Sequence, residues 1–386
     1  MALTTPTLVV LQLTGGNDPL NTIVPYGNPL YYDQRPTVHI PAEQVLPVDQ
    51  QYGFHPSLAP LKPWWDAGKM AIINGIGYPK PDYSHFRSMD IWYTAQPDTM
   101  SSDGWLGKLV RDLDPRADNV LTAVNFGRGL PRALSLAGVP VASVAALDSY
   151  GLLTSLASVS QRQAALEVFS WMYDDGWQDQ GLPQTPSTPS GVEEAMRYMG
   201  QTGLDAQKGA DILRTAIDKY SSTTMYPQTA IGQSLRGIAQ VKLADLGTRV
   251  FYAAHSSFDT HAAQLLVHAN LWREIAEAVT AFFADLQAHN AADDVLMLLW
   301  SEFGRRVRDN GSGTDHGAGG MAMVLGNAVK GGMYGEYPSL RSNALIEGNL
   351  AYNNDFRGTY STIVERWFQV EAAPIVNGHF EQLAFV

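Results

Sequence analysis

Short apolar runs alternate along the chain with longer stretches in which apolar residues recur every three or four positions. The runs at Thr7–Leu13, 70–74, 120–125, 249–254, Val295–Trp300 and 321–325 are five to seven residues long and bounded by Gly, Asn, Asp or Ser. That length, with Val and Ile enriched, predicts strands buried on both faces. Residues 261–288 show the other period: Leu265, Leu266, Ala269, Trp272, Ile275, Ala276, Val279, Phe282, Phe283 and Leu286 fall on one helical stripe. Strands alternating with helices predict an α/β fold, with a mostly parallel central sheet and helices on both faces. The segment 97–240 is rich in Ala, Ser and Gln and is expected to be a mainly helical insertion within a single domain spanning 1–386. Within it, 181–191 carries three Pro between Gly residues and must be irregular. No internal repeat is visible.

Composition narrows the class. Hydrophobic residues make up 45% of the 386 residues and include nine Trp, which excludes global disorder. The formal net charge of −12 argues against nucleic acid, whose phosphates an acidic chain repels. The absence of Cys excludes disulfides, thiolate metal sites and Cys nucleophiles. No run of about 18 apolar residues exists, so no transmembrane segment is expected. Residues 7–13 have no basic residue before them and no small-residue cleavage site after them, so they read as a first strand rather than a signal peptide.

Candidate chemistry lies just after the apolar runs, where ligands bind in open α/β sheets. The first run is followed by Gly15-Gly16-Asn17-Asp18, and the one at 249–254 by Asp259 and His261. Val295–Trp300 is followed by Ser301, Glu302, Phe303 and Arg305, and Asp315-His316 precedes 321–325. Ser84-His85-Phe86-Arg87 opens a helical stretch. Taken singly, Asp18 reads more readily as a turn or cap residue and Ser84 as a helix cap, Asp259 equally well as a cap, and Glu302 as a surface acid beside Arg305 or Arg306. Together they place carboxylates and imidazoles at one sheet edge. Oxygen and nitrogen ligands without thiolate suit Zn, Mn, Mg or Ca, as one or two ions. His39 and His55 lack ligand spacing, and Gly331-Gly332-Met333-Tyr334-Gly335 lacks the Lys-Ser/Thr of a phosphate loop.

The pattern resembles the bacterial family grouped as domain of unknown function 1501, in the alkaline-phosphatase-like superfamily with sulfatases and cofactor-independent phosphoglycerate mutases. The resemblance rests on Leu13-Thr-Gly-Gly-Asn-Asp18, Gly53-Phe-His-Pro56, Ser84-His85-Phe86, Gly104-Trp105-Leu106-Gly107, Phe258-Asp-Thr-His261, Ser301-Glu-Phe-Gly-Arg305, Gly313-Thr-Asp-His-Gly317 and Asp355-Phe-Arg357. It implies an alkaline-phosphatase-like fold. It implies metal ligands at Asp18, Asp259, His261, Glu302 and His316. It also implies a serine nucleophile at Ser84 with His85 and Arg305 in catalysis, and substrate contacts from Asn17, Arg87 and Asp315. Three departures accompany it. Phe303 stands where relatives carry a histidine ligand, Asp259 and His261 are two residues apart rather than four, and Ser84-His-Phe-Arg-Ser88 lacks the formylglycine pattern of sulfatases.

The expected function is metal-dependent hydrolysis of a small anionic ester, phosphatase-like or sulfatase-like. The alternative is a non-catalytic binding or export-associated protein that keeps the fold and one structural metal. Family members commonly carry an export leader, so the resemblance implies a periplasmic or secreted setting, although no leader is seen in this sequence; oligomeric state is left open.

Overall fold

The structure, a computed structural model, describes residues 5–145, 147, 205, 208–210, 212–213 and 215–386. The loop at 181–191 and most of the expected insertion lie outside the described residues.

Nine strands form one sheet. They are β1 (Thr7–Leu13), β2 (Met70–Gly77), β3 (Ala123–Phe126), β4 (Ala142–Val144), β5 (Val250–His255), β6 (Val295–Trp300), β7 (Gly320–Leu325), β8 (Gly332–Tyr334) and β9 (Asn354–Asp355). Their order is β8-β2-β7-β6-β1-β5-β3-β4, with β9 also pairing with β2. All neighbours are parallel except β7, which runs antiparallel to both β6 and β2. The mostly parallel sheet expected from the apolar runs is therefore present, and each of those runs contributes to a strand. The segment 97–240, expected to be mainly helical, also supplies β3 and β4, which extend the sheet beyond β5.

The main helices are α1 (Pro29–Gln34), α2 (His85–Thr94), α3 (Trp105–Leu113), α4 (Ala230–Leu243), α5 (Gln264–Ala288) and α6 (Phe356–Thr362). Because strand side chains alternate, Val9 and Leu11 face one side of β1 and Leu8 and Val10 the other. The first pair packs with Leu235 and Ile238 of α4 and Trp272, Val279 and Phe283 of α5. The second packs with Trp92 of α2, Trp105 of α3 and Tyr360 of α6. Both faces are covered, which is why the strands read as continuous apolar runs rather than as alternation.

α5 starts three residues later than its apolar stripe predicts. Ala263 adopts a left-handed conformation (φ 51°), and its N–H donates to Ser312 Oγ at 2.9 Å. Residues 259–263 are thereby held as a loop. On the first turn the burial is inverted relative to the sequence pattern: Gln264 is fully buried, whereas Leu265 and Leu266 are exposed. Among the described residues no helix is long and apolar enough to cross a membrane.

Candidate metal centre

The carboxyl ends of β1, β5 and β6 carry Asp18, Asp259 and Glu302 to one edge of the sheet. Reversal of β7 adds to them. Its start lies at the edge where its neighbours end, so His316, just before it, joins the same cluster. His85, the first residue of α2, arrives from beyond the end of β2. Gly15 and Gly16 carry the turn after β1 with φ of 121° and 82°. A Cβ on Gly15 would collide with the Asp259 backbone, and one on Gly16 with the Phe303 ring. Only glycine permits both the conformation and the close approach.

His85, Asp259 and His316 each bring a potential ligand atom within 4.8 Å of the others. The hydrogen bonds of the imidazoles fix their tautomers. His85 Nδ1 donates to Glu302 Oε1 at 2.8 Å, and His316 Nδ1 donates to the carbonyl of Tyr83 at 2.7 Å. His261 Nδ1 donates to Asp315 Oδ1 at 3.0 Å. Each partner only accepts, so each Nδ1 carries a proton, and in the neutral ring it is Nε2 that presents a lone pair. The three Nε2 atoms converge on one carboxylate. His261 and His316 lie 3.0 and 3.1 Å from Asp259 Oδ1, and His85 lies 3.4 Å from Oδ2. His261 Nε2 and His316 Nε2 are themselves 3.0 Å apart. Lone pairs facing one another at this distance repel unless a cation, a proton or a metal ion, lies between them. The arrangement of ligand histidine and outer carboxylate is that of metal sites, and the donor set fits a divalent ion.

The centre is shallow. The Asp259 side chain is 43% exposed and that of His85 26%. Burial raises the Asp259 carboxyl, but the Arg305 hydrogen bond and charge, with His261 and His316, outweigh it and bring it to about 2. His85 is raised above the usual histidine value, chiefly by its hydrogen bond to Glu302. The Phe303 ring packs against His85 and His316, with centroids 4.9 and 4.8 Å away, and walls the cluster on its buried side.

Other expected residues lie elsewhere or act differently. Asp18 is fully buried and is not in the cluster: both its oxygens accept from Arg35, and Gln264 Nε2 and the Leu20 N–H complete its coordination. Both Asp18 oxygens are thereby occupied by protein donors, and the group of potential ligand atoms at His85, Asp259 and His316 does not include it. Glu302 is also buried, with Oε1 accepting from His85 and from the Gly15 N–H. It orients the His85 imidazole. Arg305 is fully buried, and its guanidinium donates to the carbonyls of Gly15, Gly16, Phe258 and Thr314 and to Asp259. It binds three loops together and has no donor facing outward. Arg87 turns away to Asp90 and the carbonyls of Pro97 and Thr99. Asn17 is buried and accepts from Trp272 Nε1 while facing His268 Nε2. Asp315 is an outer partner of His261. Ser84 is exposed at the N-cap of α2, and its hydroxyl does not cap the helix.

Residues that sequence reasoning missed are Arg35, Gln264, Tyr83 and His268. Arg35 stands just before Pro36, and nothing in its spacing points to Asp18. His268 and His55 are buried near Asp18; burial, followed for His268 by the charge of His55, lowers them to about 3 and about 4.

No curated protein matches the sequence. Among solved structures, a sulfatase from Pseudoalteromonas sp. is similar at 12% identity, over 98% of this chain and 71% of that one, with a TM-score of 0.41. The lipoteichoic acid synthase LtaP from Listeria monocytogenes is similar at 7% identity, over 86% and 66%, with a TM-score of 0.35. An alkaline phosphatase superfamily protein from Vibrio parahaemolyticus is similar at 8% identity, over 87% and 64%, with a TM-score of 0.32. The family described as "Protein of unknown function (DUF1501)" matches residues 77–360, which include α2, Asp259, Glu302 and His316, and the chain belongs to it.

Proposed function

We propose that the protein is a metal-dependent hydrolase of a small anionic ester. The observation that carries this reading is the convergence of three Nδ1-anchored imidazoles on Asp259. His85, Asp259, His261 and His316 would hold one divalent ion. Three imidazoles and one carboxylate favour zinc and its transition-metal neighbours over Mg or Ca, which prefer all-oxygen shells. The other two strand-end carboxylates, Asp18 and Glu302, are already engaged by protein donors, and Phe303 fills the adjacent space, which argues against a second ion. When bound, the ion polarises the ester oxygen it contacts and stabilises charge developing there.

The chain's own groups supply the rest. Ser84 sits at the start of α2, where the first-turn N–H groups carry the positive end of the helix dipole and favour an anion. Its Oγ is the proposed nucleophile. It forms the bond to phosphorus or sulfur as the bond to the leaving oxygen breaks; the proton from Oγ goes to solvent, solvent protonates the leaving alcohol, and water then attacks the same phosphorus or sulfur to release the anion and restore Ser84. Glu302 holds His85 in the tautomer that presents Nε2. Arg305 fixes the loops bearing Asp259 and His316 relative to each other.

The test is metal content and turnover together. Purified protein should carry about one equivalent of ion. His85→Ala/His316→Ala should lose it, and Ser84→Ala should keep it but lose hydrolysis of 4-nitrophenyl phosphate or sulfate. No ion in the wild type after soaking with Zn, Mn, Mg and Ca would overturn the reading. One observation favours a second reading, a metal-binding protein without catalysis. Arg87, expected to contact the substrate, and Arg305, expected to act in catalysis, are both occupied within the fold. Bound metal with no turnover on either ester class would select it.

A further inference from the structure

The buried face of α5 runs through Gln264, His268, Leu271, Trp272, Ile275 and Val279. Its first member is a fully buried glutamine, while Leu266, two residues on, is 74% exposed. A buried amide costs free energy unless its polar atoms find partners. Those of Gln264 find them in three separate segments. The Asp18 carboxylate only accepts, so Nε2 faces it and donates to Oδ2. Oε1 accepts from Thr314 Oγ1 at 2.6 Å and from Thr260 Oγ1 at 3.2 Å. Thr260 lies between Asp259 and His261, and Thr314 stands just before Asp315 and His316. One carbonyl oxygen therefore holds a hydroxyl from each of two loops that bear candidate ligands. The main chain reinforces the junction. The Gln264 N–H donates to the Ser312 carbonyl at 3.0 Å, and the Thr314 N–H donates to the Thr260 carbonyl at 3.2 Å. A Cβ on Gly313 would collide with that carbonyl and with the His261 main chain, so the two loops meet backbone to backbone.

We infer that Gln264 is a positioning residue: its amide carbonyl, carried on the first turn of a 25-residue helix, sets the spacing of the loops that present His261 and His316. The inference rests on the reading of this cluster as a metal centre, and it concerns metal affinity rather than turnover. Spacing matters there because two nitrogens bound at about 2.0–2.1 Å to one tetrahedral zinc stand about 3.3 Å apart. The Nε2 atoms of His261 and His316 are 3.0 Å apart. A drift of about 1 Å between the loops would stop both nitrogens from serving one ion. Arg305 ties the same loops through main-chain carbonyls and Asp259. Gln264 adds their hydroxyls and fastens them to the core, where the rest of α5 is packed. Glutamine suits the position because it accepts at one end and donates at the other. Glutamate would set a second negative charge against Asp18.

The experiment measures zinc affinity by chelator competition, thermal unfolding of the metal-free protein, and the absorption spectrum of the cobalt(II)-loaded form. The variants are Gln264→Met, which keeps the side-chain length and removes both polar ends, Thr314→Val, and the two combined. Phe283→Leu is the control: it lies on the same helix, buried against Trp64 and away from the loops. Gln264→Met should bind zinc about tenfold more weakly and shift the cobalt spectrum. Phe283→Leu should lower Tm and leave affinity and spectrum unchanged. Thr314→Val should lose part of the affinity, and the double variant no more than Gln264→Met, since the threonine acts through the amide. Wild-type zinc affinity in Gln264→Met would overturn the proposal. So would additive losses in the double variant, or an equal loss in Phe283→Leu, which would make the effect one of general stability. If Gln264→Met does not fold, Thr314→Val decides alone, and undiminished affinity there overturns the proposal. A wild type that binds no zinc would refute the metal-centre reading and this inference with it. Gln264-dependent zinc binding without hydrolysis of any ester would refute the hydrolase reading alone.

Discussion

Asp18→Ala separates a structural carboxylate from a ligand. Asp18 and Arg35 are both 0% exposed, and the pair is bidentate. Removing the carboxylate leaves a guanidinium buried without its counter-charge, although three other acceptors remain: Asn21 Oδ1 at 2.8 Å and the carbonyls of Val307 at 2.9 Å and Arg306 at 2.8 Å. Breaking a buried pair from one side costs about 3–5 kcal/mol. Unfolding entropy of about 2.1 cal/mol/K per residue, over 386 residues, is about 0.8 kcal/mol/K, so Tm should fall by about 4–6 °C. The assay is thermal unfolding by circular dichroism, paired with the metal-to-protein ratio by plasma mass spectrometry at 20 °C. The expected result is a lowered Tm with the metal ratio of the wild type, whereas Asp259→Ala loses the metal. An Asp18→Ala protein that keeps its Tm within about 1 °C but loses metal would refute the reasoning. It would place Asp18 on the ion, where its position after β1 puts it by sequence.

Glu302→Gln keeps an acceptor for the Gly15 N–H but removes the charge behind His85; metal affinity should fall about tenfold or more, with little change in fold. A competition titration with a zinc chelator checks this, and an unaltered affinity would show that Glu302 does not act through His85. Zinc affinity should also fall with acidity. His85 is raised above 6.5, so protons compete for it as pH drops through that raised value, and the bound fraction should decline from pH 8 towards pH 6; a flat profile counts against His85 as a ligand. His268 gives a pH effect on stability. Its imidazole is depressed to about 3 when folded, so between pH 6.5 and 3 the unfolded chain binds a proton that the folded one does not, and stability is lost as pH falls through that window. His55, at about 4, adds with the same sign, whereas the raised His85 opposes it and Asp18, already below 3.8, acts only under pH 4. Metal-free His268→Gln should therefore lose less urea stability between pH 7 and pH 5 than the metal-free wild type, and parallel losses would exclude His268 as the source.

The sheet was legible because its strands are buried on both faces. Val9, Leu11, Leu8 and Val10 have no solvent side to interrupt the run, so length and β-branching identified the strand without alternation. The direction of β7 was not legible, because an antiparallel strand buried on both faces has the same composition as a parallel one. That direction matters chemically, since it brings His316 to the edge where Asp259 and Glu302 end. The first turn of α5 departs from the apolar period for a related reason. Leu265 and Leu266 continue the apolar period of 261–288, but the loop 259–263, held by Ser312, delays the helix and turns Gln264 inward to meet Asp18. A specific hydrogen-bonding partner far away in sequence overrode the local period.

The candidate site shows why residue type and position fall short of role. Asp18, Asp259 and Glu302 are all carboxylates after strands, and nothing local tells them apart. What distinguishes them is how many of their lone pairs the fold has already taken. Both oxygens of Asp18 are taken by Arg35, one oxygen of Glu302 accepts from His85 and Gly15, and Asp259 alone keeps an oxygen turned toward His85 Nε2. The same holds for cations. Arg305 and Arg306 are adjacent and chemically identical. The tight turn at Gly15 and Gly16 brings two carbonyls onto the first of them, whereas the second is left to solvent. A buried charge must be matched by the fold, so the groups most completely satisfied are those least able to bind anything else. The functional candidates at this edge are accordingly the incompletely satisfied ones: the Nε2 atoms of His85, His261 and His316 and the Asp259 carboxylate.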